Sequence, residues 1–335
     1  MNGSIRSQLR AEWMGLLAIV ALITVGLWVF TEQFSAGFNI YVLVFNIALA
    51  VVVAYGQMVV VATGGMNIAL GATGGLSAVI MAGMMESYGL PLPVVILVGL
   101  ASGALMGFIN GFLTVKTGIN PFVITLAMAS AYTGANMAIT SANPYYNIDP
   151  TLVAWGQART EILPHPALVT IVVALVLGAL FYRMVLGREI LAVGGNTRAA
   201  EITGIPVGRV IIWAHVISGF LAALAGLLTM ARLGNGTPTI GSDWLLPGFA
   251  ALIIGGVLLE GGKVAVLGVA LGVAILELIG NALAINRIDP YWVTLLQGSL
   301  ILAAVSLGLL RSGDAAKRIR GALGRPVVPT SRSGT

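Results

Sequence analysis

The segment NIYVLVFNIALAVVVAYGQMVVVA, residues 39–62, decides the fold of this chain. It runs for 24 residues without a charged side chain, and about 20 predominantly apolar residues are enough to cross the hydrocarbon core of a bilayer as an α-helix. Its apolar residues do not alternate with polar ones, which favours a helix with internally paired backbone groups over a barrel strand. The segment therefore predicts a transmembrane helix.

Nine other apolar runs share this pattern, so the chain has ten predicted transmembrane spans. The spans are 13–31, 39–62, 68–85, 91–115, 121–141, 166–185, 210–231, 245–259, 264–286 and 291–310. Hydrophobic residues make up 58% of the 335 residues and charged residues only 9%, whereas soluble domains carry about a quarter charged residues. We exclude a water-soluble globule and predict an all-α polytopic membrane protein with about ten helices, inverted-repeat-like halves and broken helices.

The basic residues predict the orientation of the spans. With a cytosolic N-terminus, 14 of the 17 lysines and arginines fall in inside segments, and only Arg159, Arg232 and Arg287 fall outside. This asymmetry follows the positive-inside rule. We therefore predict residues 1–12 as a cytosolic N-terminus, 13–310 as the transmembrane domain and 311–335 as a disordered cytosolic tail without apolar periodicity. The first apolar run is too long for a cleaved signal peptide, so we expect it to be retained.

The sequence offers little for catalysis. It has no cysteine and two histidines, and it lacks the motifs of nucleophilic or metal-dependent hydrolases. The nearest approach to a phosphate-binding loop is GGVLLEGGK, which ends at Lys263, but Val264 stands where a Ser or Thr would bind magnesium. We predict a protein that is not an enzyme and that binds no metal or cofactor itself, so any ATP and magnesium would be held by another polypeptide.

The longest inside segment between spans runs from residue 183 to residue 209. Asn196 is a preferred N-cap residue for a short helix over Thr197–Ile202, and Gly204 followed by Pro206 ends that helix. A short amphipathic helix in the cytosol suits docking into a cleft of a soluble motor domain. A solvated loop without a partner fits the same pattern, and both interpretations remain open on patterning alone.

Several stretches resemble the ribose-type ABC permeases, the membrane subunits of bacterial sugar importers. The most specific is GREILAVGGNTRAAEITGI, residues 187–205, which is similar to the cytosolic coupling segment of that family. The resemblance continues in TGGMNIALGATGGLSAVIMAG, NPFVITLAMA, LAALAGLLTMARLGNGTPTIG and IIGGVLLEGGKVAVLGVALGVAILELIGNAL. It covers most of residues 39–307. The stretches of the second half match the family in order and spacing, and those of the first half resemble its segments.

The resemblance implies a set of partners and a transport mechanism. It implies cytosolic ABC ATPase subunits, a periplasmic substrate-binding protein and a second permease subunit, either a copy of this chain or a sister chain, in the bacterial inner membrane. Transport would be ATP-driven alternating access, both termini would be cytosolic, and no nucleic acid would be bound. The coupling segment would span 186–209. Its implied ATPase-coupling residues are Gly194, Gly195, Asn196, Arg198, Ala199, Ala200, Glu201, Gly204 and Ile205.

Polar residues within the spans are the candidates for the solute pathway, since a buried amide or carboxyl needs a partner or a wet cavity. The candidates are Asn46, Gln57, Asn67, Asn110, Asn120, Asn136, Glu277, Asn281 and Gln297. Bonding between helices is the alternative for each. Asn67 stands where the family usually has Asp, so a role that needs a carboxylate is not expected there. Glu277 is a functional candidate by its depth, or a protonated or amide-paired packing residue.

Other functions fit parts of the pattern. A proton- or sodium-coupled carrier would also be polytopic, but such carriers place ionisable groups in the membrane, and Glu277 is the one deeply placed acid here. Permeases for nucleosides or branched-chain amino acids share the broad architecture, and the GGN and AA pattern of the coupling segment favours sugars among these. Two outer segments, 142–165 and 232–244, carry Tyr, Trp and Asp residues that suit either a soluble partner or interfacial anchoring.

Overall fold

The computed structural model describes residues 2–160 and 163–289, and beyond them residues 291, 292, 294, 295, 298, 299 and 302; side chains are described from Trp13 onward. The described elements are almost entirely helical. In chain order they are α1 Asn2–Phe30, a 3₁₀ turn Glu32–Ser35, α2 Gly37–Val61, α3 Leu70–Tyr88, α4 Leu92–Thr117, α5 Pro121–Thr140, α6 Pro150–Gln157, β1 Arg159–Thr160, β2 Leu163–Pro164, α7 His165–Arg183, α8 Val185–Gly195, α9 Thr197–Ile202, α10 Val207–Leu233, α11 Leu245–Ile254 and α12 Val266–Ile285. The two strands form one short antiparallel ribbon in which Arg159 pairs with Pro164 and Thr160 with Leu163.

The predicted all-α polytopic class is confirmed. Each of the first nine predicted spans contains a helix, and seven described helices are long and apolar enough to cross a membrane. The eighth span is shorter than predicted because α11 ends at Ile254, where Gly255 and Gly256 follow, and Gly256 adopts a positive φ of 79°. The tenth span, 291–310, lies largely outside the described residues, and the tail 311–335 lies wholly outside them. The count of ten and the inverted-repeat-like halves stay predictions.

Helix α10 lies at the centre of the described bundle, packed against α2, α3 and α4. The contact with α4 is close because glycines recur every four residues along α4. Gly103 lies against Gly219 and Ala223 of α10, and a Cβ at Gly107 would collide with the carbonyl oxygen of His215. Small residues at this spacing allow helix backbones to approach within a membrane bundle. The glycine stripe therefore serves helix packing.

The chain between α2 and α3, residues 62–69, is the first break in a helix. Gly64 has a positive φ of 83° and would meet the carbonyl oxygen of Glu260 if it carried a Cβ. A second break, residues 255–265, separates α11 from α12 and carries three positive-φ glycines, Gly256, Gly261 and Gly262. At both places irregular backbone interrupts the helices, which membrane proteins tolerate where protein or a water-filled cavity surrounds it.

Candidate translocation cavity and coupling surface

The first helix break is clamped by hydrogen bonds from three helices. The Thr125 hydroxyl accepts from the Ile68 amide at 3.0 Å, and Thr125 Oγ1 also lies 3.2 Å from the Met66 carbonyl oxygen and 2.8 Å from that of Pro121. The side chain of Asn67 donates to Ser218 Oγ at 2.9 Å and accepts from the Ala69 amide at 3.1 Å. Each contact satisfies a backbone or side-chain group that the break leaves without a helical partner.

Asn67 thus stabilises the break, in company with Gln57. Gln57 is completely buried and donates from Nε2 to the Asn67 carbonyl oxygen at 3.0 Å. Asn67 is 1% exposed, so its amide faces Ser218 and the break itself. These two pathway candidates form one buried network that orders the break.

Thr125→Val tests the clamp. The substitution keeps the shape of the side chain but leaves the Ile68 amide without its acceptor, and an unsatisfied buried donor costs about 1–3 kcal/mol. We expect a lower melting temperature for the purified chain in detergent, measured by thermal unfolding. Thr114→Val is the matched control, because the buried Thr114 hydroxyl bonds only to the Asn110 carbonyl of its own helix. An equal shift for both variants would contradict a clamping role.

A cavity of about 330 Å³ lies between α2, the start of α11 and α12. Three of its lining residues are polar, namely Asn46, Asp243 and Glu277, and Trp244 contributes an aromatic side chain. The remaining lining residues are Leu49, Ala50, Val53, Pro247, Gly248, Ala251, Val273 and Leu276. Apolar walls with a few convergent polar groups are the usual composition of a small-molecule site.

Asn46 is held in the cavity wall by a cation. The guanidinium of Arg232 donates to Asn46 Oδ1 at 2.8 Å and lies 4.1 Å from the centre of the Phe45 ring. A guanidinium over an aromatic face is stabilised by the ring quadrupole. One lone pair of the Asn46 side-chain oxygen is therefore occupied, and its NH₂ group makes no hydrogen bond to the described residues, so it is a donor for the cavity.

Four of the other pathway candidates, Asn110, Asn120, Asn136 and Asn281, do not line this cavity. Asn281 and Asn39 exchange two amide hydrogen bonds, of 2.7 and 3.2 Å, between α12 and α2. Asn110 accepts from the Tyr132 hydroxyl at 3.0 Å, and Asn136 donates to the Pro238 carbonyl at 2.9 Å. The other two candidates are Asn120, which caps α5 by accepting from the Phe122 amide at 2.9 Å, and Gln297, which lies outside the described residues.

The coupling segment contains two helices, α8 and α9, of which the second was predicted. As predicted, Asn196 caps α9: its Oδ1 accepts from the Ala199 amide at 2.9 Å, and Gly204 adopts a positive φ of 84° just beyond the helix. Of the nine predicted coupling residues, six are exposed and three are buried or half-buried. The exposed six are Gly195, Asn196, Arg198, Ala199, Glu201 and Gly204; the other three are Gly194, Ala200 and Ile205.

Ile202 stands out on this exposed face. It ends α9 and is 81% exposed, although it is a large aliphatic residue. Four exposed arginines, Arg183, Arg188, Arg198 and Arg209, lie in the longer segment 183–209 that contains it. We define the coupling surface as the exposed residues of 195–204, with Ile202 as its apolar residue.

Gly194 attaches the coupling surface to both helix breaks. A Cβ at Gly194 would collide with the carbonyl oxygen of Ala62, the same oxygen that accepts from the Gly262 amide at 3.1 Å. A Cβ at Gly261 would likewise lie 2.6 Å from the Gly64 nitrogen. We call this meeting of residues 62–64, 194–195 and 261–262 the glycine junction. A Cβ at Gly195, by contrast, would point into open space. Gly194 therefore allows close packing, whereas Gly195 belongs to the exposed surface.

The outer segment between α5 and α7 is ordered by an acid on α3. The Glu86 carboxylate accepts from the Tyr146 and Asn147 amides at 2.7 and 2.9 Å. Asp149 then caps α6 by accepting from the amide and hydroxyl of Thr151, and these bonds hold the pKa of Asp149 below its usual range. Tyr146 is left 71% exposed. The segment presents a fixed outer surface.

Three functional candidates were missed from the sequence. Asp243 and Trp244 lie in an outer segment, and only the fold brings them to the cavity that Asn46 and Glu277 line. The available signal was an acid and a tryptophan directly preceding an apolar run. Ile202 was placed in the predicted short helix, but the pattern did not show that it lies on the exposed side.

Seven helices long and apolar enough to cross a membrane, two breaks between helices and a cavity between helices fit a multi-pass membrane permease. Comparison with known families agrees: the profile described as "Branched-chain amino acid transport system / permease component" matches residues 37–305. The chain belongs to this family. Its function is therefore transport and not catalysis.

Curated relatives extend over nearly the whole chain. It is 34% identical to the D-allose transport system permease protein of Escherichia coli strain K12 over 84% of this chain and 86% of that one. It is 31% identical to the ribose import permease protein of Bacillus subtilis strain 168, over 90% and 92% of the two chains. It is 30% identical to the fructose import permease protein of Rhizobium meliloti, over 87% and 83%. The ribose-type resemblance found in the sequence is confirmed.

Proposed function

We propose that this chain is the membrane-spanning subunit of an ABC importer that moves a neutral sugar or sugar-like solute into the cytosol by alternating access. The observation that carries the proposal is the coupling surface, a capped and exposed helix with an unpartnered aliphatic residue. A soluble motor domain that encloses α9 would bury Ile202 and meet the surrounding arginines. The named substrates of the relatives, D-allose, ribose and fructose, support a sugar as the solute.

The proposal assigns the energy source to other chains. Two cytosolic ATPase subunits would dock on the coupling surfaces of two permease subunits, either two copies of this chain or this chain and a sister. ATP and magnesium would be held by the ATPases, and no cofactor would be bound by this chain. The importer would sit in the bacterial inner membrane with both termini in the cytosol, and a periplasmic substrate-binding protein would deliver the solute. No nucleic acid takes part.

The cavity fits the solute side of this proposal. Asn46 follows the start of α2 by nine residues, and Glu277 precedes the end of α12 by eight. At a rise of about 1.5 Å per residue, both side chains lie roughly 12–14 Å from the helix ends predicted to face outward. In the predicted orientation the cavity would lie in the outer half of the membrane, where a solute released by a binding protein would enter.

The test is purification of the chain from its native membrane in mild detergent, followed by reconstitution of the recovered complex into proteoliposomes. We expect an ATPase and a periplasmic binding protein to co-purify, and ATP-dependent uptake of at least one of radiolabelled D-allose, D-ribose and D-fructose. Recovery of the chain without an ATPase, with uptake driven by an ion gradient, would overturn the importer proposal. ATP-dependent uptake of leucine but of none of the sugars would assign the chain to amino acid transport.

A further inference from the structure

We propose that Asp243 and Glu277 make the outer cavity a charge filter, which admits neutral or cationic solutes with hydroxyl groups and rejects anions. This inference rests on the proposed transport function and names the class of solute that the site accepts. Asp243 and Glu277 are specificity-determining residues in this proposal, and their effect extends to amino acids and sugar acids, which carry a carboxylate.

The first step of the argument is that both acids lack partners. Among the described residues, neither carboxyl group makes a hydrogen bond or an ion pair, and both acids line the same cavity. Acidic side chains that serve structure in a membrane usually pair with one another or with a donor. Two acids without such donors on one cavity wall are available to a solute.

The second step is the absence of a compensating cation in the wall. Among the cavity-lining residues that the structure describes, none is a lysine, arginine or histidine. Arg232 is not one of these lining residues; its single positive charge bonds to Asn46 Oδ1 and lies over the Phe45 ring, against two acids in the wall. A cleft lined by one sign of charge with low-dielectric walls concentrates ions of the opposite sign and repels ions of the same sign. The wall is therefore electronegative.

The third step is the match to a hydroxylated solute. The two carboxyl groups accept hydrogen bonds, and the Asn46 NH₂ donates one. A hydroxyl group both donates and accepts, so a polyol can satisfy all three groups, whereas a carboxylate could use only the Asn46 donor. Trp244 and Leu49 offer apolar surface for the C–H faces of a sugar ring. A volume of about 330 Å³ is at the small end of ligand pockets, which suits a monosaccharide.

The chain contains no cysteine, so single introduced thiols report on the cavity without background. Ala50→Cys would place a thiol in the cavity wall, and Asn143→Cys would place one in the exposed loop between α5 and α6 as the reference. Val176→Cys is the lipid-facing control, because Val176 lies on α7 and is 59% exposed. Right-side-out vesicles of the full importer would be treated with cationic and anionic methanethiosulfonate reagents. The quantity measured is the ratio of cationic to anionic labelling rates, divided by the same ratio at residue 143.

We expect this normalised ratio to be about tenfold or more at residue 50, and no labelling at residue 176. In the Asp243→Asn/Glu277→Gln background the ratio should fall towards one, and each single variant should give an intermediate value. Labelling at residue 143 in that background shows that the variant reaches the membrane folded. A ratio near one with both acids present, or labelling at 143 but none at 50, would overturn the filter.

A transport measurement separates this inference from the proposed function. With the best-transported neutral sugar of the uptake assay, the double variant should lose at least about tenfold in uptake rate, since two of three polar contacts are removed. Suppose that the wild-type importer transports sugar, that its normalised labelling ratio at residue 50 is near one, and that the double variant takes up sugar at the wild-type rate. The filter proposal is then wrong and the importer proposal stands. If no sugar is transported but the charge-dependent labelling holds, the filter stands and the assigned substrate is wrong.

Discussion

Gly107→Val is expected to leave little folded protein in the membrane. A Cβ at this position collides with the His215 carbonyl oxygen and would lie 3.0 Å from the Val216 Cα, so α4 and α10 must separate. Overpacking a tight interface costs about 1–3 kcal/mol and sometimes more, and the rigid α10 backbone offers no side-chain movement to relieve it. The measurement is the monodisperse fraction and the melting temperature after extraction in mild detergent.

Gly134→Val is the matched control for this prediction. Gly134 also lies within an apolar helix, α5, but it is exposed and a Cβ there meets nothing within 4 Å. Both substitutions make the same change in helix propensity, so the difference between the two melting temperatures reports the cost of the collision between α4 and α10. Equal yields and melting temperatures for the two variants would show that the close approach of α4 to α10 does not limit stability.

Ile202→Asp is expected to abolish assembly with the ATPase while leaving the permease in the membrane. Burial of an isoleucine at an interface contributes about 1.5–3 kcal/mol, and an aspartate in its place adds the penalty of an unpaired buried charge. A loss of about 3 kcal/mol corresponds to a more than hundredfold weaker complex. The measurement is the amount of ATPase that co-purifies with the tagged chain at fixed salt.

Ile119→Asp is the control for the loss of an exposed isoleucine. Ile119 is 46% exposed between α4 and α5, on the side predicted to be cytosolic but outside the coupling surface. We expect it to retain the ATPase. A third variant, Gly195→Trp, adds bulk where the chain has open space and should impair docking by obstruction alone. Full ATPase recovery with both Ile202→Asp and Gly195→Trp would remove the coupling surface from the interface.

Local sequence signals predicted the local structure well. The apolar runs placed nine helices, and Asn196 with Gly204 placed α9, because caps and spans depend on neighbouring residues. The end of α11 was misplaced by five residues because Val257, Leu258 and Leu259 continue the apolar run, while Gly255 and Gly256 end the helix. Hydrophobicity alone does not show where the backbone leaves the helical conformation.

Side-chain roles depended on contacts that no local pattern contains. Asn46 and Glu277 meet only because α2 packs on α12, and Asp243 joins them from a loop. Asn281 had the same signal as Asn46, an amide within a span, but its neighbour is Asn39 and its amide is satisfied there. Gly194 and Gly195 are chemically identical, and the backbones of Ala62 and Gly262, which approach the Cβ position of Gly194 alone, distinguish them.

The glycine junction is a rigid connection between the coupling segment and the two helix breaks. At this point main chain rests on main chain, with the Ala62 carbonyl oxygen bonded to the Gly262 amide and the Gly194 backbone against both. Long side chains between two elements can change rotamer and absorb a displacement, but backbone atoms in direct contact have no such freedom. We therefore expect a displacement of α9 to reach both helix breaks with little loss of amplitude.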